Sequence, residues 1–174
     1  MKDYAGFWRR TGAFALDYLL ILGYLLGITV LLMTLNLLFD INEWLFGDRT
    51  RAQLLAFLLV TIPVALYFAI SESSPQQATW GKHRLNLRVT DRAGDRIRFG
   101  RALVRTTLKF IPWELSHTLI WQISFAPEAT SVWINYGFLL VYGLIGVNLV
   151  SLLATRRHQT LYDLLAGTYV IGAR

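Results

Sequence analysis

Cysteine is absent from this 174-residue chain, which excludes disulfides, thiolate metal sites and cysteine nucleophiles. Charge is also scarce. Asp, Glu, Lys and Arg make up 16% of the residues and hydrophobic types 55%, whereas an ordinary soluble domain is roughly one quarter charged. No internal repeat, linker or low-complexity tract is visible, and the length fits one compact domain over residues 1–174. The first apolar stretch is far longer than the ~7–15 residues of a signal-peptide core, so no cleavable signal is expected.

Four long apolar segments dominate what is present. They cover about residues 12–39, 52–70, 107–126 and 132–153, each close to the ~20 residues a helix needs to cross the hydrocarbon. The third is the most polar, because it contains Lys109, Glu114, His117 and Gln122. The expected fold class is therefore an all-α membrane protein, a bundle of four transmembrane helices. Between the second and third spans, residues 71–106 form the main polar loop. Within it Arg84–Thr90 alternates as a strand does, Asp91–Asp95 reads as a turn, and Arg96–Phe99 returns as a second strand. A basic helix from Gly100 then leads into span three. The tail from Thr160 to Gly172 is too short to span; it begins as a helical turn and ends as a strand over Thr168–Ile171.

The basic residues orient the bundle. Nine fall between Ser71 and Lys109, three before span one and three after span four, and none in the 127–131 loop. Basic segments favour the cytoplasm, so both termini and the polar loop are expected there. Phe7, Trp8, Trp44, Phe46, Trp80, Trp113 and Trp133 lie at or near the expected edges, as interfacial aromatics do. The net charge of +6 points in such a chain to anionic lipid headgroups, not nucleic acid. Lys82, Arg84, Arg88, Arg101 and Arg105 are the candidate headgroup contacts.

Between Thr11 and Phe39 the only charged residue is Asp17. A carboxylate at the centre of a spanning helix costs about 2.5–3.5 kcal/mol on insertion scales, so it normally has a partner. Arg10 lies seven positions earlier, two helical turns, and shares a face with it. Asp17 lies roughly 7–8 Å inside the cytoplasmic edge at 1.5 Å per residue. Counted the same way, Glu72, Glu114, His117, Asn148, Ser151 and Asp163 fall in the same inner third of the bilayer. Glu114 and His117, three apart on a helix, can share a proton, ligate a cation, or simply fasten helix three to its neighbours. Gly23 and Gly27 form a GxxxG pair, a candidate close helix contact. Gly81–Lys82 lacks the glycine-rich loop of a phosphate cradle. His83 and His158 sit among Arg and Lys and read as solvated basic-face residues.

FWRRTGAFALD near the start, TWGKHRLNLRVTDRAGDRIRFGRALVR in the middle and RRHQTLYDLLAGTYV near the end resemble landmarks of the RDD family. These are small bacterial integral membrane proteins named for one arginine and two aspartates. The resemblance assigns those residues to Arg10, Asp17 and Asp163. Members often have His before the last Asp, where this chain has Tyr162, so no proton role of that His carries over. The family is generally taken to act in transport, some members looking like cation/proton antiporters, while others are fused to or associated with other proteins.

Three functions compete at this point. The first is exchange of a monovalent cation for protons in a homo-oligomer, with Asp17, Glu114, His117 and Asn148 as candidate binding groups and Arg10 and Asp163 as a cytoplasmic gate. The second is a non-transporting scaffold or assembly partner, in which Arg10, Asp17 and Asp163 latch the chain ends. The third and weakest is an intramembrane metal-dependent enzyme using Glu114, His117 and Asp17. No cofactor, metal or catalytic activity is expected under the first two.

Overall fold

The computed structural model describes residues 3–126 and 132–173; the 127–131 loop, Lys2 and Arg174 lie outside them. A 33-residue helix, α1 (Phe7–Phe39), opens the chain and ends where Asp40 turns left-handed at φ 49°. At 1.5 Å per residue it is about 50 Å long, well beyond a ~30 Å hydrocarbon core. Its first turns lie outside the apolar run, which is how Arg10 comes to be helical. The short α2 (Asn42–Phe46) follows, and then α3 (Arg49–Ala56), capped by the Asp48 side chain accepting from the Arg51 N–H.

A single π-helical turn over Phe57–Thr61 joins α3 to α4 (Ile62–Ser73) without a break. Pro63 follows it. Proline has no N–H to offer the carbonyl one turn earlier, here Leu59, and the Tyr24 hydroxyl of α1 donates to that oxygen at 2.7 Å. A backbone defect in one span thus becomes a tie to another.

The chain then forms α5 (Trp80–Arg84), β1 (Leu87–Thr90), α6 (Phe99–Phe125), α7 (Val132–Ala154), α8 (Leu161–Ala166) and β2 (Tyr169–Gly172). Among the described residues three helices are long and apolar enough to cross a membrane, Phe7–Phe39, Arg49–Ser73 and Val132–Ala154. The expected third span, α6, has the length at 27 residues, but its charged residues lower its hydropathy. It packs against α4, α7 and α8.

The expected hairpin does not form. β1 pairs antiparallel with β2 from the far end of the chain, in the register Leu87↔Gly172 to Thr90↔Tyr169. The 96–99 segment contributes only the bridge Thr90↔Arg96 before α6 begins. Pairing with the tail gives β1 a four-residue ladder in place of one bridge and buries Leu87, Val89, Val170 and Ile171. The turn at Asp91–Asp95 does form, its Asp91 carboxylate accepting from the Gly94 and Asp95 N–H groups. On the other edge of β2, Tyr4 bridges Ile171 and the Ala5 N–H donates to the Val170 carbonyl. The chain's two ends and its middle therefore meet in one cap.

The cap carries the larger of two buried apolar clusters, containing Ala5, Ala13, Ala69, Leu87, Val89, Ile97, Ala102 and Val170. The other, Ile21, Val64 and Phe68, lies where α1 meets α4. Most of α1 and α7 is uncovered: α1 buries Ala13, Asp17 and Ile21 alone, and α7 buries Ile134, Val141 and Leu152. Nothing would meet a Cβ placed at Gly23 or Gly27, so the GxxxG pair makes no close contact within the chain. A difference in stability follows. Val170→Ala removes packing from the cap and is expected to cost about 2 kcal/mol. Leu139→Ala, on the uncovered face of α7, is expected to stay within about 0.5 kcal/mol. Thermal melts of the purified variants in detergent measure both.

Candidate functional site

The cap joins six charged side chains from five helices, with Tyr67, Thr79 and Thr168, in a continuous chain of contacts. Each position has a local cause. Asp163 is the third residue of α8 and closes a capping box with Thr160, which aims its carboxylate back toward the helix start. Glu72 sits in the last turn of α4, and Arg105 in the second turn of α6. Asp17 is two turns into α1 beyond Arg10.

Arg105 joins the two halves. Its Nη1 donates to Glu72 Oε2 at 2.6 Å, while Nε and Nη2 both approach Asp163 Oδ1 at 2.9 Å. Arg10 Nη1 takes the other Asp163 oxygen at 2.6 Å, and Lys82 Nζ takes the other Glu72 oxygen at 2.9 Å. Thr168 adds a hydroxyl to Asp163 Oδ1 at 3.1 Å. Arg105, Glu72 and Asp163 are buried. The order Arg10, Asp163, Arg105, Glu72, Lys82 alternates in sign, so every carboxylate lies between two cations.

Asp17 is held differently. It is wholly buried, and its partners are neutral: the Tyr67 hydroxyl at 2.8 Å and the Gly81 N–H at 2.7 Å on Oδ1, and the Thr79 hydroxyl at 2.6 Å on Oδ2. Thr79 also caps α5. Arg10, although it shares a face of α1 with Asp17, does not pair with it: Arg10 turns to Asp163, and α5 packs against α1 at Ala13 and Asp17. Gly81 is there because nothing larger fits. A Cβ at that position would collide with the Ala13 carbonyl oxygen and lie 2.9 Å from the Asp17 nitrogen.

The other expected site residues scatter. Glu114 lies nine residues beyond Arg105 on α6, about 13–14 Å deeper by helical rise, and accepts a hydrogen bond from Thr61 at the end of the π turn. His117 packs edge-on to Trp113 at 4.5 Å; among the described residues its buried Nδ1 has no partner. A small cavity of about 40 Å³ lies between these groups, Gln53 and Trp121. The expectation that Glu114 and His117 share a depth with Asp17 is thus overturned, because α6 begins in the cap and reaches Arg105 before it reaches Glu114. Asn148 does not line either place; it donates to the Leu144 carbonyl of its own helix and accepts from the Tyr162 N–H at the start of α8.

The basic residues divide as well. Arg105 and Lys82, expected at lipid headgroups, are instead bound to Glu72 and Asp163, and this corrects the surface role given to them. Arg84 and Arg101 are exposed; the first stacks on Trp80 at 5.3 Å and the second lies 3.8 Å from Asp91. Arg88 is half-buried on β1. Among the described residues no group of three or more Asp, Glu or His is placed to hold a metal ion, which leaves the metal-enzyme reading with two neighbouring ligands.

Sequence reasoning missed Tyr67, Thr79, Gly81 and the half-buried Lys109 as parts of the site. Lys109 Nζ lies 3.3 Å from the centroid of the Phe68 ring, in the same cavity of about 250 Å³ that Arg10, Asp17, Lys82 and Arg105 line. The thr-Trp-Gly order within the middle landmark was the one available signal for Thr79 and Gly81.

Two outcomes follow from this geometry. Gly81→Ala is expected to destabilise the fold by about 1–3 kcal/mol through overpacking, while Gly23→Ala does not, as paired melting curves will show. Burial raises the Asp163 carboxyl, but Arg105 and Arg10 outweigh it and hold the group well below the usual carboxylate range. A folded value below the unfolded one contributes stability above the unfolded pKa of about 3.9 and loses it as pH falls further. Melting temperature should therefore fall below about pH 4, and Asp163→Asn should flatten that dependence while lowering stability at neutral pH.

No curated protein and no solved structure matches the chain. The family model of the RDD family matches residues 4–167, a span that includes Arg10, Asp17 and Asp163 and ends just before β2. The chain belongs to the RDD family.

Proposed function

We propose that this protein is a non-transporting scaffold of the bacterial cytoplasmic membrane, with α6 as a fourth span and both termini in the cytoplasm. The basic cap then faces the side that positive residues favour. The observation that carries this reading is the saturation of Asp17. Tyr67, Thr79 and Gly81 supply three donors to its two oxygens, and the cavity beside it is lined by four cations, which repel a sodium, lithium or potassium ion. A carboxylate so placed fastens α1 to α4 and α5. The uncovered faces of α1 and α7 are then available to partner helices, which in a bilayer associate by packing and not by the hydrophobic effect.

Asp17→Asn presents an amide N–H₂ to a site built of donors. It is expected to cost about 1–3 kcal/mol and to lower melting temperature. Folded wild-type protein in liposomes bearing a pH gradient is expected to show no proton movement on addition of sodium, lithium or potassium. Cation-dependent flux that Asp17→Asn abolishes without loss of stability would overturn the scaffold reading.

One observation favours the second reading, cation/proton exchange. Glu114, Thr61, Gln53 and His117, whose Nδ1 has no partner among the described residues, line a common small cavity beside a π turn, and such turns are frequent at functional sites. Exchange would run there and not at Asp17. A pathway through so narrow a bundle would be completed by a homo-oligomer. Flux lost in Glu114→Gln and kept in Asp17→Asn is the result that would select it.

A further inference from the structure

The cap cavity has a charge pattern that the latch alone does not explain. Arg10, Lys82, Arg105 and Lys109 line it or flank it, against the carboxylates of Asp17, Glu72 and Asp163. One positive charge is left over. Two donors are also left over. Arg10, nine-tenths buried, uses Nη1 on Asp163 and Nε on the Ala5 carbonyl, yet among the described residues its buried Nη2 has no partner. The ammonium of Lys109 contacts the rings of Phe14, Phe68 and Phe110, and no carboxylate accepts a hydrogen bond from it among the described residues. A shielded guanidinium nitrogen and a half-buried ammonium in this condition are costly unless an anion completes them.

The cavity does not end at the charges. An apolar groove of about 150 Å³ runs on from it between α1, α4 and α6, lined by Ile21, Leu25, Val60, Val64 and Trp113. The two spaces share Phe14, Phe68 and Lys109. A cationic chamber of about 250 Å³ at the cap thus lies next to an apolar groove that follows the spans, with Phe14, Phe68 and Lys109 bordering both. A free anion would use the first and leave the second empty. An anionic phospholipid would use both.

We propose that this bipartite site binds one anionic phospholipid per chain, its phosphate on Arg10 Nη2 and Lys109 Nζ and one acyl chain in the groove. The single negative charge of a phosphodiester matches the one uncompensated positive charge. The site is internal, unlike a general attraction of surface basic residues to the leaflet, and it rests on neither functional reading above. A lipid seated there ties α1 to α4 and α6 by filling the space between them.

The test uses purified full-length protein in detergent, titrated with phosphatidylglycerol, phosphatidylcholine or inorganic phosphate. Melting temperature and the number of lipids retained in native mass spectrometry are the readouts. Phosphatidylglycerol is expected to raise the melting temperature and to be retained at one per chain, with no such shift from phosphatidylcholine or inorganic phosphate. Lys109→Gln should weaken the phosphatidylglycerol effect about fivefold, the scale of one basic residue at a headgroup. Val64→Trp, which fills the groove and leaves the charges in place, should weaken it independently. Equal shifts with phosphatidylcholine, a shift reproduced by inorganic phosphate, or a phosphatidylglycerol effect unchanged in Val64→Trp would each overturn the proposal.

Discussion

The buried guanidinium of Arg105 is the interaction on which the rest of the cap depends. It touches Glu72 of α4 and Asp163 of α8 at once, and those two contacts leave one oxygen on each carboxylate for Lys82 and Arg10. None of these charges is affordable alone. Desolvating a single ion costs several kcal/mol, and a buried pair deprived of one member loses more than it gained. The network therefore forms as a unit or not at all. A planar fork with fixed donor directions suits this role better than an ammonium would, because it sets the angle between two helices as well as their distance.

That geometric strictness has a reason in the solvent. Apolar helices in lipid gain nothing from hiding apolar surface, so their mutual arrangement is weakly specified within the bilayer. In the cap the chain places its larger apolar cluster, its sheet and its ion network. The spans inherit their positions from the cap. Between the long helices the ties among the described residues are polar: Tyr24 on the Leu59 carbonyl, Thr61 on Glu114, Tyr67 on Asp17 and the Gln53 amide on Thr118. Three of the four use a hydroxyl as the donor.

Long-range hydropathy made the helices legible. The run after Thr11 announced α1, and its charged prefix became helical because nothing between Phe7 and Thr11 stops it. Arg10 and Asp163 were legible through the resemblance, and their contact at 2.6 Å joins α1 to α8. Asp17's partners were not legible. A tyrosine hydroxyl and a backbone N–H have no charge pattern, and Gly81 looked like an isolated glycine before a lysine. Arg105 was hidden among nine basic residues of one loop, since alternation and charge cannot say which of them is buried. β1 misled for a related reason: a strand's pattern names its faces but not its neighbour, and the neighbour lay some eighty residues away.

The pairing of β1 with β2 also sets an order of assembly. β2 is synthesised after every helix, so the cap cannot close until all the spans have left the ribosome. Until then Arg10 and the free side of Arg105 wait without Asp163, and the apolar face of β1 waits without Val170 and Ile171. A nascent chain in that state shows exposed strand edge and unmatched positive charge at the membrane surface. Closure by β2 converts that surface to a sealed one in a single step, so the exposed edge itself marks a cap that has not yet closed.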